Sequence, residues 1–223
     1  MCGIIAVLRR PSDRPVPTAD DLLGPLVGVA AGLDAADADL VEALAGAAER
    51  VEIVDRALRG TPGIRALLTD AGLAPAIDRA VAEVVHALAA REVQLDEAGA
   101  EVASEELNAA LIRLKDATWA VRRDRLRTAE AVAELVGPDP SRAAVEAMAS
   151  VQAALSALDR LEVRGRDSAG LDLLVRNHGI DLADATVEVL LAERRGDGLF
   201  TDGTVRVTPE GHLSFVYKAA AEI

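Results

Sequence analysis

Apolar residues recur at helical spacing through most of this chain, from residue 18 to about residue 161. The clearest stripe steps alternately by four and three residues, which places its members on one face of a helix. It comprises Leu40, Leu44, Ala47, Val51, Val54 and Leu58. Further stripes run through residues 81–88, 107 to about 135, and 145–161. Because only short breaks separate the stripes, the sequence predicts a bundle of packed helices.

Composition and local signals favour the same interpretation. Alanine supplies 45 of the 223 residues and aromatic residues only 2%, a balance that favours helices and argues against an all-β sandwich. Thr18 followed by Asp21 predicts a capping box at the start of the first helix. Segments that contain Gly and Pro, at residues 60–63 and 137–140, predict helix breaks. A short helix is expected at residues 63–70.

Both ends of the chain have strand-like patterns. Residues 1–10 (MCGIIAVLRR) contain a short apolar, β-branched run followed by two arginines, which predicts a strand buried on both faces, and three prolines in residues 11–17 end it. Toward the other end, strands are predicted at residues 171–175, 204–207 and 212–218. A turn at residues 209–211 joins the last two as a hairpin, and a short helix is expected at residues 180–195. The predicted fold class is therefore α+β.

Charge and cysteine content exclude several classes of protein. The chain has 24 basic and 37 acidic residues, a net charge of −13 that repels phosphate backbones, so no nucleic-acid partner is expected. No apolar run approaches the roughly 20 residues of a membrane helix. Cys2 is the only cysteine, which predicts a reducing, cytoplasmic location. Four arginines within residues 122–127 favour a solvated or ion-paired helix face over a phosphate contact, because an acidic run at residues 96–106 lies near them in sequence.

Cys2 is the first candidate for chemistry. It follows the initiator Met1 and precedes the small Gly3, so removal of Met1 would leave a cysteine with both a thiol and a free α-amine. An α-amine has a pKa of about 8 and can serve as a base near neutral pH. A nucleophile activated by its own terminal amine is one solution for acyl transfer. The alternative is that Cys2 has no chemical role and is an ordinary small apolar residue.

The second candidate segment is LDRLEVRGRDSAGL, residues 158–171, at a predicted helix-to-strand junction. MCGIIAVL at the start of the chain and this later segment resemble two stretches of the class II glutamine amidotransferases, which are amino-terminal-nucleophile hydrolases. The two stretches occur in the same order in that family. The Leu161-Glu162 and Arg164-Gly165 pairs resemble the glutamine–fructose-6-phosphate aminotransferase branch more than the amidophosphoribosyltransferase branch.

The resemblance implies catalytic and binding roles for particular residues. Cys2 would attack the side-chain amide of glutamine, with its own α-amine as the base. Arg164 would orient the terminal cysteine, and the backbone of Gly165 would contact the catalytic site. Asp167 and Ser168 match positions that shape the substrate-binding turn. No metal and no organic cofactor is implied.

The resemblance also implies a fold and a division into domains. Cys2 and Arg164 are 162 positions apart, much farther than in the family. We therefore expect an incomplete αββα core of the amino-terminal-nucleophile type in residues 1–10 and 151–223, interrupted by a helical insertion at residues 11–150. The sequence contains neither the family's His-Thr-Arg-Trp-Ala stretch nor an Asn-Gly pair for an oxyanion hole. We therefore expect the front part of a longer protein, with little or no activity alone.

The expected partners are glutamine and, through a further domain, a sugar phosphate acceptor such as fructose 6-phosphate. Two alternatives stay open. One is another class II amidotransferase of the phosphoribosyl type, and the other is a non-catalytic helical interaction protein. The sequence leaves open whether the chain forms a homo-oligomer and what the helical insertion does.

Overall fold

The structure is a computed structural model of the 223-residue chain, and it describes residues 4–8, 10–36, 39–98, 104–162, 168–196 and 205–220. Over these residues the fold is α+β, as predicted: it is mostly helical, with one three-stranded antiparallel sheet. The chain divides into two compact units. The sheet unit comprises Met1–Leu8 with Ala153–Ile223, and the helical unit comprises Arg9–Gln152. The predicted division placed the boundaries at residues 10/11 and 150/151; the identity of each domain stays a prediction.

Among the described residues, the helical unit contains seven α-helices and the first half of an eighth. They are α1 (Ala19–Leu23), α2 (Val29–Ala35), α3 (Leu40–Leu58), α4 (Gly60–Thr69), α5 (Leu73–Ala98), α6 (Glu105–Trp119), α7 (Arg127–Val136) and α8 (Arg142–Glu162), which continues into the sheet unit. The predicted capping box at α1 is confirmed, because the Thr18 hydroxyl accepts from the backbone N–H of Asp21 at 3.2 Å. The Asp21 carboxylate in turn accepts from the backbone N–H of Thr18 at 2.8 Å.

The apolar stripes form one continuous core in the helical unit. Twenty-nine buried apolar residues contribute to it among the described residues. The predicted stripe on α3 is confirmed, with Leu44, Val51 and Val54 completely buried. Helix α3 packs against α6, and α2 packs against α5. The predicted helical zone is therefore confirmed, and the buried faces of α3, α5 and α6 are the ones that the periodicity indicates.

The junction between α3 and α4 is unusually close. Helix α4 begins at Gly60, three residues before the predicted start, and Pro62 fits its first turn because no intrahelical bond needs an N–H there. Gly60 has a φ of +70°, in the left-handed region that glycine tolerates. A Cβ placed on Gly63 would overlap the backbone of Leu58. Only a residue without a side chain therefore allows α4 to turn so tightly against the end of α3.

The third predicted helix, residues 107 to about 135, contains a local change of pitch. Helix α6 continues into a π-helical segment, Ala120–Leu126, and then into α7. Helix π-segments are rare and often lie at sites where side chains must be displaced from the regular α-helical positions. The break at residues 137–140 is confirmed, since α7 ends at Val136 and α8 begins at Arg142.

The sheet unit carries three strands and one helix after α8. They are β1 (Ser168–Val175), α9 (Ala185–Gly196), β2 (Val205–Val207) and β3 (Leu213–Ala220). Strand β3 lies between β1 and β2 and pairs antiparallel with both. The predicted hairpin is confirmed, with the N–H of Thr208 bonded to the carbonyl of His212 at 2.9 Å. Helix α9 begins five residues later than predicted, because the Asp184 carboxylate accepts from the N–H of Thr186 at 2.7 Å and caps it.

The predicted strand at the amino-terminal end is wrong for the residues that the structure describes there. Residues 4–8 form no strand. Ile4 is 94% exposed and Leu8 is 96% exposed, so the run is not buried on either face. An apolar, β-branched run becomes a strand only when a neighbouring strand supplies hydrogen bonds and a core covers it. Residues 4–8 pair with none of β1, β2 and β3.

In the described part of the chain, no helix combines the length and the apolar character that a bilayer span requires.

Candidate functional site

Most of the residues that the resemblance singles out lie outside the described part of the chain. These are Cys2, Arg164, Gly165 and Asp167. The fifth, Ser168, is the first residue of β1, and its backbone is paired with that of Ala220. The roles of these residues therefore stay predictions.

The local framework around the predicted Arg-Gly turn is described on both sides. Helix α8 ends at Glu162 and strand β1 begins at Ser168, so the predicted Arg-Gly segment follows a helix and precedes a strand. The sequence predicted this helix-to-strand junction, and it is confirmed.

Strands β1 and β3 present one apolar face. The antiparallel register sets Leu171 opposite Tyr217 and Leu173 opposite Phe215, and residues that are directly opposite share a face. Arg194 of α9 lies over that face, with its guanidinium carbon 5.6 Å from the centre of the Phe215 ring and 5.4 Å from that of Tyr217. Arg194 also donates a hydrogen bond to the Tyr217 hydroxyl. The helix is thus held to the sheet by cation–π contacts and a hydrogen bond.

The helical unit contains a buried carboxylate that two arginines share. Asp55 of α3 is only 3% exposed. Its Oδ1 accepts from Nε of Arg125 at 2.8 Å, and its Oδ2 accepts from Nε of Arg59 at 2.9 Å. A buried carboxylate needs this kind of pairing, because removing its charge from water is costly. Arg125 belongs to the π-helical segment, so the pair fastens that segment to α3.

Further ion pairs of arginines join neighbouring helices in the described part of the same unit. Arg122, also in the π-helical segment, donates to Asp78 of α5 at 2.7 Å. Arg113 of α6 donates to both carboxylate oxygens of Glu52 on α3, at 2.6 and 2.8 Å. The hydrogen bond from Arg113 is the main reason why the pKa of Glu52 lies below its ordinary value.

These contacts test the expectation for the arginine cluster. The ion-paired interpretation is confirmed for Arg122 and Arg125. Their partners are Asp78 and Asp55, however, rather than residues of the acidic run that the sequence suggested. The physical reason is that α6 and the π-helical segment pack against α3 and α5, and packed helices bring together charges that are distant in sequence.

A cavity of about 340 Å³ lies at the first turn of α4, within the helical unit. The proline-rich segment forms one wall, anchored by Arg14, which donates to the carbonyls of Arg56 at 2.8 Å and Ala57 at 3.3 Å. Arg142 of α8 forms another wall and donates to the Ser12 carbonyl at 3.0 Å. Ten residues line the cavity: Ser12, Asp13, Arg14, Pro15, Val16, Thr61, Pro62, Arg65, Arg142 and Glu146.

The sequence contains a signal for the buried ion pair of Asp55 and none for the cavity at the start of α4. Asp55 falls within the apolar stripe of α3, between Val54 and Leu58, and Arg59 follows it by four residues. A carboxylate on an apolar face with an arginine at that spacing indicates a buried ion pair. The cavity had no such signal, because its residues come from three separate segments of the chain.

Among the described residues, no group of three or more His, Cys, Asp or Glu side chains could hold a metal ion. Comparison of the chain with protein-family models, with curated proteins and with solved structures finds no match.

Proposed function

We propose that this chain is the ammonia-releasing glutaminase portion of a glutamine-dependent amidotransferase, of the glutamine–fructose-6-phosphate aminotransferase kind. The observation that carries the proposal is a pair of segments in chain order. MCGIIAVL comes first and LDRLEVRGRDSAGL second, and the second begins in helix α8 and ends in strand β1. Either segment alone would be a weak signal, whereas the two together match both parts of one family's nucleophile site.

The division into units supports the proposal. Residues 1–8 and 153–223 belong to one compact unit, although the whole helical unit separates them in sequence. An amidotransferase core interrupted by a helical insertion has this organisation. The finer assignment, an incomplete αββα core of the amino-terminal-nucleophile type, is part of the proposal.

The proposed reaction is hydrolysis of the glutamine side-chain amide. After removal of Met1, the α-amine of Cys2 accepts the thiol proton, through water, and the sulfur attacks the amide carbon. The C–N bond then breaks, ammonia leaves with that proton, and a thioester remains. Water hydrolyses the thioester, which releases glutamate and restores the thiol. Splitting the reaction into two easier steps is the general advantage of a covalent nucleophile.

The other proposed roles follow the resemblance. Arg164 orients the terminal cysteine, the Gly165 backbone contacts the site, and Asp167 and Ser168 shape the glutamine-binding turn. The released ammonia aminates a sugar phosphate bound by a further domain. A thiol nucleophile must stay reduced, which suits a cytoplasmic location.

The test uses a glutamine analogue in which a diazomethyl ketone replaces the side-chain amide. This reagent alkylates a nucleophilic thiol in a glutamine pocket even where turnover is slow. We expect intact-mass spectrometry to show loss of Met1 and a single adduct, and peptide mapping to place that adduct on Cys2. An excess of glutamine should slow the labelling, and Cys2→Ala should abolish it.

Two arginine variants provide a matched pair for the same assay. Arg164→Lys should slow labelling by at least about tenfold, because an arginine that orients the nucleophile sets its geometry. Arg166→Lys changes the same turn at a position outside the Arg-Gly motif and should label like the wild type. Retention of Met1, labelling that glutamine does not slow, or equal effects of the two arginine variants would overturn the proposal.

A second candidate function is a non-catalytic helical interaction protein. The observation that favours it is that residues 4–8 are exposed and form no strand, whereas the helical unit has a continuous core of its own. On this alternative, Met1 and Cys2 have no function. The labelling experiment separates the two candidates, because a non-catalytic protein gives no adduct that glutamine protects.

A further inference from the structure

The cavity at the start of α4 has the size of a small-molecule site. Its volume of about 340 Å³ lies within the range of ligand pockets in proteins. All of its lining residues belong to the helical unit, so it is separate from the proposed glutaminase chemistry. The walls are polar and charged, which indicates a polar ligand.

Thr61 is the first sign that a ligand is needed there. It lines the cavity and is 7% exposed. Among the described residues, its hydroxyl has no hydrogen-bond partner, in contrast to Thr118, whose hydroxyl donates to the carbonyl of Lys115 at 2.9 Å. A buried polar group without a partner is destabilising, and most such groups in proteins are satisfied. A bound polar molecule would supply the missing partner.

Arg65 is the second sign. Of the three arginines that line the cavity, Arg14 is engaged with backbone carbonyls, and Arg142 with Glu146 at 2.8 Å and with Ser12. The hydrogen bond that Arg142 donates to Glu146 raises the pKa of Arg142, and the charge of Asp13 adds to this effect. The half-buried Arg65 side chain has neither an ion pair nor a hydrogen bond among the described residues.

The hydrogen-bond donors of the cavity that have no partner among the described residues all favour a negatively charged ligand. Thr61 and Arg65 lie on successive turns at the beginning of α4, a helix of ten residues. The first backbone N–H groups of a helix lack intrahelical acceptors, and the helix dipole is positive at that end. Asp13 and Glu146 supply two negative charges against three arginines, which leaves the lining with a net positive charge.

We propose that this cavity binds the oxyanion group, a phosphate or a carboxylate, of a small polar metabolite, with Arg65 and the Thr61 hydroxyl as its ligands. The guanidinium supplies paired N–H donors and the hydroxyl supplies one more. Phosphate and carboxylate share this recognition chemistry, because guanidinium groups donate two parallel hydrogen bonds to either.

The test is isothermal titration of the full chain at constant ionic strength, with inorganic phosphate in one arm and acetate in the other. We expect saturable binding in at least one arm, and the stronger arm identifies which oxyanion the site prefers. Thr61→Val and Arg65→Gln should each weaken that binding by tenfold or more, since a hydrogen bond to a charged group contributes about 1.5–3 kcal/mol. Thr61→Ser keeps the hydroxyl and should retain binding.

The matched control is Arg79→Gln. Arg79 is an exposed arginine of α5 in the same unit, and it has no ion pair among the described residues. It should leave the affinity unchanged. Thr61→Val should also unfold at the same or a higher temperature than the wild type without anion, because it removes an unsatisfied buried hydroxyl. This variant therefore tests the site even if Arg65→Gln fails to fold. Absence of saturable binding in both arms, or equal weakening by Arg79→Gln, would overturn the proposal.

Discussion

The two units of this chain differ most in how they bury apolar surface. The helical unit encloses a continuous core of 29 buried apolar residues. In the described part of the sheet unit, the buried apolar residues are Val205 and Leu213, while Leu174, Val189 and Leu190 are each more than half exposed. The end of α8, helix α9 and a small three-stranded sheet offer little area for burial, whereas the packed helices of the helical unit offer much more. The comparison indicates that the helical unit supplies most of the stability.

The same comparison separates packing from proposed chemistry. The proposed catalytic residues belong to the sheet unit, and the proposed oxyanion cavity belongs to the helical unit. A binding site is held more firmly when well-packed helices position its side chains. A site in the sheet unit must instead be organised by backbone pairing of β1 and β3 and by the contacts of Arg194.

The largest expected effect tests the difference in burial directly. Leu114 of α6 is completely buried, so Leu114→Ala should lower the free energy of unfolding by about 2–5 kcal/mol, through lost burial and a new cavity. Leu174 of β1 is 55% exposed, and Leu174→Ala should change it by about 0.5 kcal/mol or less. Urea unfolding followed by circular dichroism measures both.

If Leu174→Ala lowered the free energy of unfolding as much as Leu114→Ala, the difference in burial between the two units would be contradicted. The sheet unit would then bury far more apolar surface in solution than the exposure of its side chains indicates. Ile112→Ala, on the exposed face of α6 where the side chain is 59% exposed, controls for the loss of an aliphatic group from the same helix.

The next effect concerns charge inside the well-packed unit. Asp55→Asn should lower the free energy of unfolding by about 2–3 kcal/mol, because it removes the charge that Arg125 and Arg59 share at a buried site. Asp78→Asn removes the partner of Arg122 at a position where both side chains are partly exposed, and should cost about 1 kcal/mol or less. Equal costs in urea unfolding would contradict the idea that burial decides what these pairs contribute.

A smaller effect is expected where α4 turns against α3. Gly63→Ala should destabilise the chain by about 1–3 kcal/mol, because its Cβ would displace the backbone of Leu58. Gly46→Ala, in the exposed interior of α3 where a Cβ meets nothing, should stabilise it by about 0.5–1 kcal/mol. We therefore expect Gly63→Ala to lower the melting temperature and Gly46→Ala to raise it. A neutral Gly63→Ala would mean that the junction can open without cost.

Most of the helical unit could be predicted from sequence, because a stripe with a period of 3.6 residues directly indicates the buried face. The π-helical segment could not, since its apolar spacing differs little from that of an α-helix. At residues 4–8, in contrast, the sequence predicts a strand that the structure does not form. Its composition is typical of a strand, but strand formation depends on a partner that local sequence does not specify.

The candidate sites divide in the same way. Cys2 and Arg164 were found through resemblance, which requires no knowledge of tertiary contacts. One of the two partners of the buried Asp55 could be predicted from the sequence, because Arg59 follows it by four residues. The other partner, Arg125, reaches Asp55 only through the packing of the helices. Thr61 and Arg65 carry no sequence signal, because a missing hydrogen bond is visible only in three dimensions.

The smallest expected effect extends the comparison of ion pairs to their dependence on pH. Glu52 and Arg113 join α3 to α6, and the pKa of Glu52 is lower in the folded chain than its ordinary value of 4.5. Its contribution to stability is therefore present in full above the unfolded pKa and is lost as the pH falls through the folded value. The stability difference between wild type and Glu52→Gln should be constant from neutral pH down to about pH 6 and shrink below about pH 4.5. Urea unfolding at a series of pH values measures this difference. Glu42→Gln, an exposed position on α3 with no ion pair among the described residues, should show no such change. If the Glu52→Gln difference were as large at pH values well below the folded pKa as at neutral pH, the bond to Arg113 would not be what lowers the pKa.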